Sequence, residues 1–250
     1  MITPKEEGLA IVDALFKEWG TGGFTRGPCP GVDGREAIKE MKESNFPGWR
    51  EVEWAGFHVK FLVQNACRKY LSGKVEPLEI GKRHLVKGAY LWDPRFCANE
   101  EKLVILGDVD EYRDLIRKEG NGGIGILIIH TVAHDDLDGD FRRWHEEFKG
   151  GPSDYTIERE IEGRPPRVRK TRYMITMVSG YYFTLEDFER GVDEGWLRDN
   201  FQEGMRNWDG TPRKSKYLLS LYETPREYRL FVKNFNIDPN EFRVEFPDQV

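Results

Sequence analysis

Apolar positions recur at three- and four-residue steps over residues 49 to 72 (WREVEWAGFHVKFLVQNACRKYLS), where Val52, Ala55, Val59, Leu62, Ala66 and Tyr70 line up as one stripe. That period predicts a helix with a core-facing side. Glu53 lies one position beside the stripe, so its carboxylate is expected at the edge of the core, and Gly73 ends the segment. Leu9, Val12, Leu15 and Phe16 predict a second helix over residues 7 to 19. A short polar helix is expected over residues 35 to 43, closing near Phe46-Pro47. Between these two, GTGGFTRGPCPGVDG holds too much Gly and Pro for a regular element and reads as loop.

The period then changes. Extended segments are predicted near Pro77 to Ile80 and Gly88 to Phe96, joined by GKRHLVK, with a weak strand at Lys102 to Leu106. An acidic helix start, DVDEYRDLIRK, breaks at Asn121-Gly122-Gly123. IGILIIHTVAH, residues 124 to 134, is a continuous β-branched run, the signature of a strand buried on both faces. Strand, helix and buried strand within about thirty residues form a parallel crossover unit, with Lys102 to Leu106 as its first strand. Beyond it, DDLDGD turns into the helix FRRWHEEFKGG, and residues 154 to 163 are helical. Residues 164 to 172 are extended or irregular because Pro165-Pro166 forbids a helix. TRYMITMVSGYYFT alternates as a strand does, and the tail mixes short helices (LEDFERGVDEGWLRDNF) with extended pieces (KYLLSLYET, EFRVEF). The expected fold is α/β, a mixed central sheet flanked by helices. One domain over residues 1 to 250 is expected, its core at about 49 to 180 and a C-terminal elaboration at 181 to 250.

Composition narrows the class. With 38% hydrophobic, 13% aromatic and 33% charged residues of both signs, 250 residues build a core and exclude disorder. No apolar run approaches the length of a membrane span, and acids precede the first apolar stretch, so neither an anchor nor a signal peptide is expected. Cys29, Cys67 and Cys97 are too scattered for a metal knuckle, and their odd number suits a reducing compartment, hence the cytoplasm.

The formal net charge is −6, yet RPPRVRKTRY, residues 164 to 173, holds five basic residues and no acid. Arg164, Arg167, Arg169, Lys170 and Arg172 sit on a segment stiffened by two prolines. The planar guanidinium fork suits phosphate or a guanine edge, so a pre-ordered arginine arm points to nucleic acid rather than to a plain solvated loop. Phosphodiester cleavage with a metal asks for two or three oxygen ligands and a nearby cation. Glu53, from a helix, and Asp93, in YLWDPRF, are candidates for the two carboxylates, against a background of 44 acids. His130 and His134 would lie roughly 13 Å apart on a strand, too far for one zinc ion. GTGGFTRG follows a helix and GNGGIG precedes a strand, so neither is a phosphate-binding loop.

Three segments together resemble type II restriction endonucleases of the PD-(D/E)XK superfamily. WREVEWAGF, Trp49 to Phe57, is similar to a motif W-x-x-M-E-W-x-G-F; WDPR, Trp92 to Arg95, to W-D-F-K. FRRWHEEFKGGPSDYTIER followed by PRVRK, Phe141 to Lys170, resembles F-x-K-W-H-D-E-L-K-G-G-x-S-x-Y-x-x-x-R running into S-R-x-R-K. The resemblance implies a restriction-endonuclease-like core in which Glu53 and Asp93 hold Mg²⁺. It implies that Arg143, Lys149, Arg167, Arg169 and Lys170 face DNA. Arg95 occupies the position of the family's catalytic lysine; arginine cannot tune a water by losing a proton but can stabilise a pentavalent phosphate. No aspartate stands in GKRHLVKGAY where a first strand acid belongs, with Glu79 or His84 as substitutes and Lys82 as an alternative cation.

The expectation is a Mg²⁺-dependent, site-specific endonuclease acting on double-stranded DNA to restrict foreign DNA in a prokaryotic cytoplasm. A homodimer is expected because a palindromic site mirrors a two-fold axis. Glu53, Asp93, Arg95 and Lys82 form the catalytic set; Arg143, Lys149, Arg164, Arg167, Arg169, Lys170 and Arg172 form the DNA-binding set. The alternatives are a DNA-binding protein on the same scaffold that does not cut or that acts on bases, and a small-molecule enzyme of the α/β class.

Overall fold

The computed structural model describes residues 2–21, 31–81, 83–99, 101–207 and 209–234. In chain order these form α1 (Pro4–Thr21), β1 (Val32–Asp33), α2 (Gly34–Glu43), α3 (Trp54–Tyr70), β2 (Glu76–Ile80), β3 (Arg83–Lys87), β4 (Leu91–Ala98), β5 (Leu103–Asp108) and α4 (Val109–Glu119). They continue through β6 (Gly123–Asp135), α5 (Asp140–Lys149), α6 (Asp154–Ile161), β7 (Lys170–Thr184), α7 (Leu185–Glu194), β8 (Leu197–Phe201), β9 (Lys216–Ser220) and β10 (Arg229–Asn234). The expected strand EFRVEF lies outside the described residues.

A mixed central sheet runs in the order β1-β7-β6-β4-β3-β2, with β10 also paired to β7. Among the described residues only β4 and β6 pair in parallel, in the register Trp92 with Gly125. A side chain at Gly125 would run into the Trp92 ring, so the close approach at this register requires glycine. The alternation of β6 shows why its sequence is an unbroken apolar run: Leu127 and Ile129 enter a core under α1, α2 and α3, while Ile124, Ile126 and Ile128 enter a second core under α4 and α7. Both faces are buried, as the run predicts. The fold is thus mixed α/β, a curled mixed sheet with helices on both sides.

Three expectations change. The crossover into β6 starts from β4, because β5 leaves the central sheet and joins a three-stranded sheet, β5-β9-β8. GKRHLVK is not a connector; its last five residues are the strand β3, paired along its whole length with β2. The long helix begins at Trp54, not Trp49. Pro47–Arg50 forms a 3-10 turn first, and the Trp54 indole N–H donates to the Lys170 carbonyl at 2.7 Å, pinning the helix start to the arginine arm.

Candidate functional site

The pairing of β3 with β4 stops after two residue pairs, Val86 with Trp92 and Lys87 with Leu91. Beyond Trp92 the edge of β4 that faces β3 has no ladder partner among the described residues, and Arg95 and Phe96 there line a cleft of about 1200 Å³. One wall is the start of α3 with the arm residues Arg167, Val168 and Lys170; the opposite wall is β5 with Arg213, Lys214 and Lys216. A second cavity of about 910 Å³ lies toward α4, and Lys60, Arg95, Asp108 and Lys216 line both, so the two meet there. The side chains of Leu103 and Ile105 face out of β5 into the first cavity, 45% and 42% exposed, while Val104 and Leu106 point into the core. The cleft is therefore apolar along part of one wall and charged around it, with basic side chains outnumbering the acids Glu51, Glu53, Glu101 and Asp108.

Asp93 lies beneath the floor, fully buried. Its Oδ2 accepts from the Arg95 guanidinium at 2.5 Å and from the Tyr112 hydroxyl at 2.9 Å, while Oδ1 has no partner. Tyr112 keeps its proton, since burial and then the Asp93 charge hold its pKa well above the ordinary value. Arg95 covers Asp93 and lines the cavities on its other side. Lys60, half-buried on α3, makes no ion pair among the described residues. Burial pushes its pKa down to about 8, with Arg95 and then Arg83 adding to the shift and Asp93 opposing it. Arg83 rests over the Tyr112 ring at 5.0 Å and pairs with Glu111 at 3.5 Å. His84, behind this group, is buried and held neutral, its pKa lowered by burial and by the Lys60 charge.

Several residues nominated from the sequence have other places. Glu53 is not on the core edge of α3; it caps the helix from outside, about half exposed, and its carboxylate pairs with Arg167 at the cleft rim. Arg169 cannot face DNA: only 2% exposed, it pairs with Glu146 at 2.9 Å and donates to the Arg142 carbonyl, fastening the arm to α5. Arg143 is exposed and paired with Asp140 on its own helix, and Arg164 pairs with Glu162. Lys149 is half-buried at the end of α5, where its carbonyl accepts from Arg50. Arg172 lies within β7, opposite His134 on β6. Lys82 lies outside the described residues. Of the arm, Arg167 and Lys170 line the cleft, and Lys170 also pairs with Asp135 at 2.8 Å. The arm is held open for them by Arg159, whose Nε donates to the Pro165 carbonyl at 3.1 Å, and by Gly150 and Gly151, whose positive φ of 91° and 131° turns the chain sharply between α5 and α6.

The donor set does not fit a Mg²⁺ site of two protein carboxylates. Glu53 is at the rim and committed to Arg167; Asp93 is below the floor and committed to Arg95 and Tyr112. Among the described residues, no three His, Cys, Asp or Glu side chains are grouped to hold a metal ion. What surrounds Asp93 is positive: Arg95, Lys60 and Arg83.

The sequence reading missed Lys60, Arg83, Arg213, Lys214 and Lys216. For Lys60 a signal exists: it is the one charge inside the apolar run FHVKFLV of the best-defined helix. The other four carry no local mark, since they reach the cleft only through the pairing of β5 with β9 and the divergence of β3 from β4.

No family model matches the sequence, and no curated protein matches it. Among solved structures, a crystal structure of the restriction endonuclease BglI bound to its DNA recognition sequence is similar at 8% identity and a TM-score of 0.35, covering 92% of this chain and 93% of that one.

Proposed function

We propose that this chain is a DNA-acting hydrolase, a site-specific endonuclease that holds double-stranded DNA along the basic cleft and cuts one phosphodiester at its floor. The observation that carries the reading is the floor itself, where Lys60 and Arg95 line both cavities above a buried carboxylate with one free oxygen. Arg167, Arg213 and Lys214 on the rim suit the neighbouring phosphates, which position a duplex without reading its sequence. The pair Arg167–Glu53 opens as Arg167 takes a phosphate. When Arg95 turns from Asp93 to the phosphoryl group, it uncovers the carboxylate. A water then attacks phosphorus and loses its proton to Asp93; the P–O bond to the leaving oxygen breaks, and the Lys60 ammonium supplies the proton that oxygen needs. Arg95 and Arg83 offset the charge of the pentavalent phosphate. Two subunits, each reading half of a two-fold site, complete the proposal.

A second reading, binding without cleavage, is favoured by one observation: Asp93 is closed off by Arg95 and Tyr112. Plasmid DNA incubated with wild type, Asp93→Asn and Lys60→Met, with Mg²⁺ and with EDTA, separates the two. Discrete fragments from wild type alone support the endonuclease. A gel shift without any cutting leaves the binding protein, and neither result from wild type ends both readings. Light scattering with and without DNA tests the dimer.

A further inference from the structure

The cations of the floor, which share it with Asp108 and Lys216, are not equally paired. Arg95 is matched by Asp93 at 2.5 Å and Arg83 by Glu111 at 3.5 Å. Lys60 forms no ion pair among the described residues, although it is half-buried; Asp93 acts on it only through space, and Asp108 lines the same cavities without pairing with it. Holding an ammonium partly out of water without a counter-ion is unfavourable, and the lowered proton affinity of Lys60 is the mark of that cost. The missing partner is an anion. A divalent cation at Asp93 would act in the opposite sense: it would displace Arg95 from the carboxylate and add two positive charges beside three.

We propose that Lys60, flanked by Arg83 and Arg95 where the two cavities meet, is an oxyanion site that takes a phosphoryl group directly on side-chain cations, with no divalent metal between them. The inference rests on the nucleic-acid reading only for the identity of the larger molecule; the site itself is specified by the three cations. Arg95 contributes a planar fork, Lys60 a point charge, and Arg83 is held in place by the ring of Tyr112. For the binding of the anion, Asp93 and Tyr112 act through Arg95, which they orient.

The test is titration calorimetry of the full chain with inorganic phosphate in EDTA at pH 7, for wild type, Lys60→Met and Lys60→Arg, with circular dichroism confirming that each is folded. Binding by wild type without metal, weakened at least tenfold in Lys60→Met and kept within about threefold in Lys60→Arg, is the expected result. Raising the pH through 8 should weaken wild type far more than Lys60→Arg, because only lysine loses its proton there. If wild type binds phosphate only once Mg²⁺ is added, or if Lys60→Met binds as wild type does, the metal-free site is refuted. Should Lys60→Met fail to fold, the comparison of wild type in EDTA with wild type in Mg²⁺ still decides. The outcomes separate from the DNA reading: phosphate binding by a protein that ignores DNA upholds this site and sinks the DNA reading, whereas DNA binding without metal-free phosphate binding does the reverse.

Discussion

Arg169→Ala and Arg167→Ala, two residues apart in the same arm, should behave as opposites. Arg169 is 2% exposed and paired with Glu146, itself only 13% exposed. Removing it leaves Glu146 buried without a counter-charge and deprives the Arg142 carbonyl of its donor. Breaking a buried pair from one side costs about 3 to 5 kcal/mol. At roughly 2 to 4 °C per kcal/mol for a chain of this size, the melting temperature should fall by about 6 to 20 °C. Arg167 pairs with Glu53 at 47% and 53% exposure, where solvent screens the interaction, so its loss should cost no more than about 1 kcal/mol. Thermal unfolding of both variants checks the contrast. The double change Arg169→Met with Glu146→Gln, which leaves no orphaned charge, should recover most of the loss, a coupling that a double-mutant cycle measures. DNA affinity should move the other way, weakened in Arg167→Ala and, once the protein is folded at low temperature, kept in Arg169→Met with Glu146→Gln. Equal melting temperatures for the two alanine variants would refute the assignment of one arginine to the core and the other to the cleft.

Arg167→Ala combined with Arg213→Ala should lower the slope of log affinity against log salt by about 2, read by fluorescence anisotropy on a duplex of any sequence. In the same assay, affinity should decline as the pH rises above about 8, where Lys60 releases its proton, and Lys60→Arg should flatten the profile. Gly125→Ala should cost at least about 1 to 3 kcal/mol in denaturant unfolding, since the new methyl meets the buried Trp92 ring. Trp54→Phe should cost about 1 kcal/mol in the same measurement, because the Lys170 carbonyl loses the indole donor.

Much of the frame is legible along the chain because it is made locally. The run at residues 124 to 134 announces a strand covered on both sides, and β6 has a helix layer over each face. Pro165-Pro166 excludes a helix, and the segment before Lys170 has none. The site is less legible because it is made by pairings distant in sequence. Asp93 and Arg95 are adjacent on one face of β4, and their pattern marks them as a unit; that they bind each other does not follow from the pattern. Glu53 stands beside a helix stripe, yet the 3-10 turn at Pro47 delays the helix and turns the carboxylate outward. Arg169 has the same side chain and neighbourhood as Arg167, and only the placement of α5 sends one inward and the other out. Lys102 to Leu106 has the apolar alternation of a strand, but nothing in it names the sheet it joins.

That choice of sheet has a mechanical consequence. The opposing jaws of the groove belong to separate ladders, and aromatic packing seats the three-stranded one against α4 and α7: Tyr112 against Tyr217 at 6.2 Å and Phe188 against Tyr217 at 4.9 Å between ring centres. The gauge of the opening is thus machined by greasy residues that no guest molecule touches. Trimming Tyr217, which lines neither cavity, would alter which widths of polymer are admitted while leaving every charge in place.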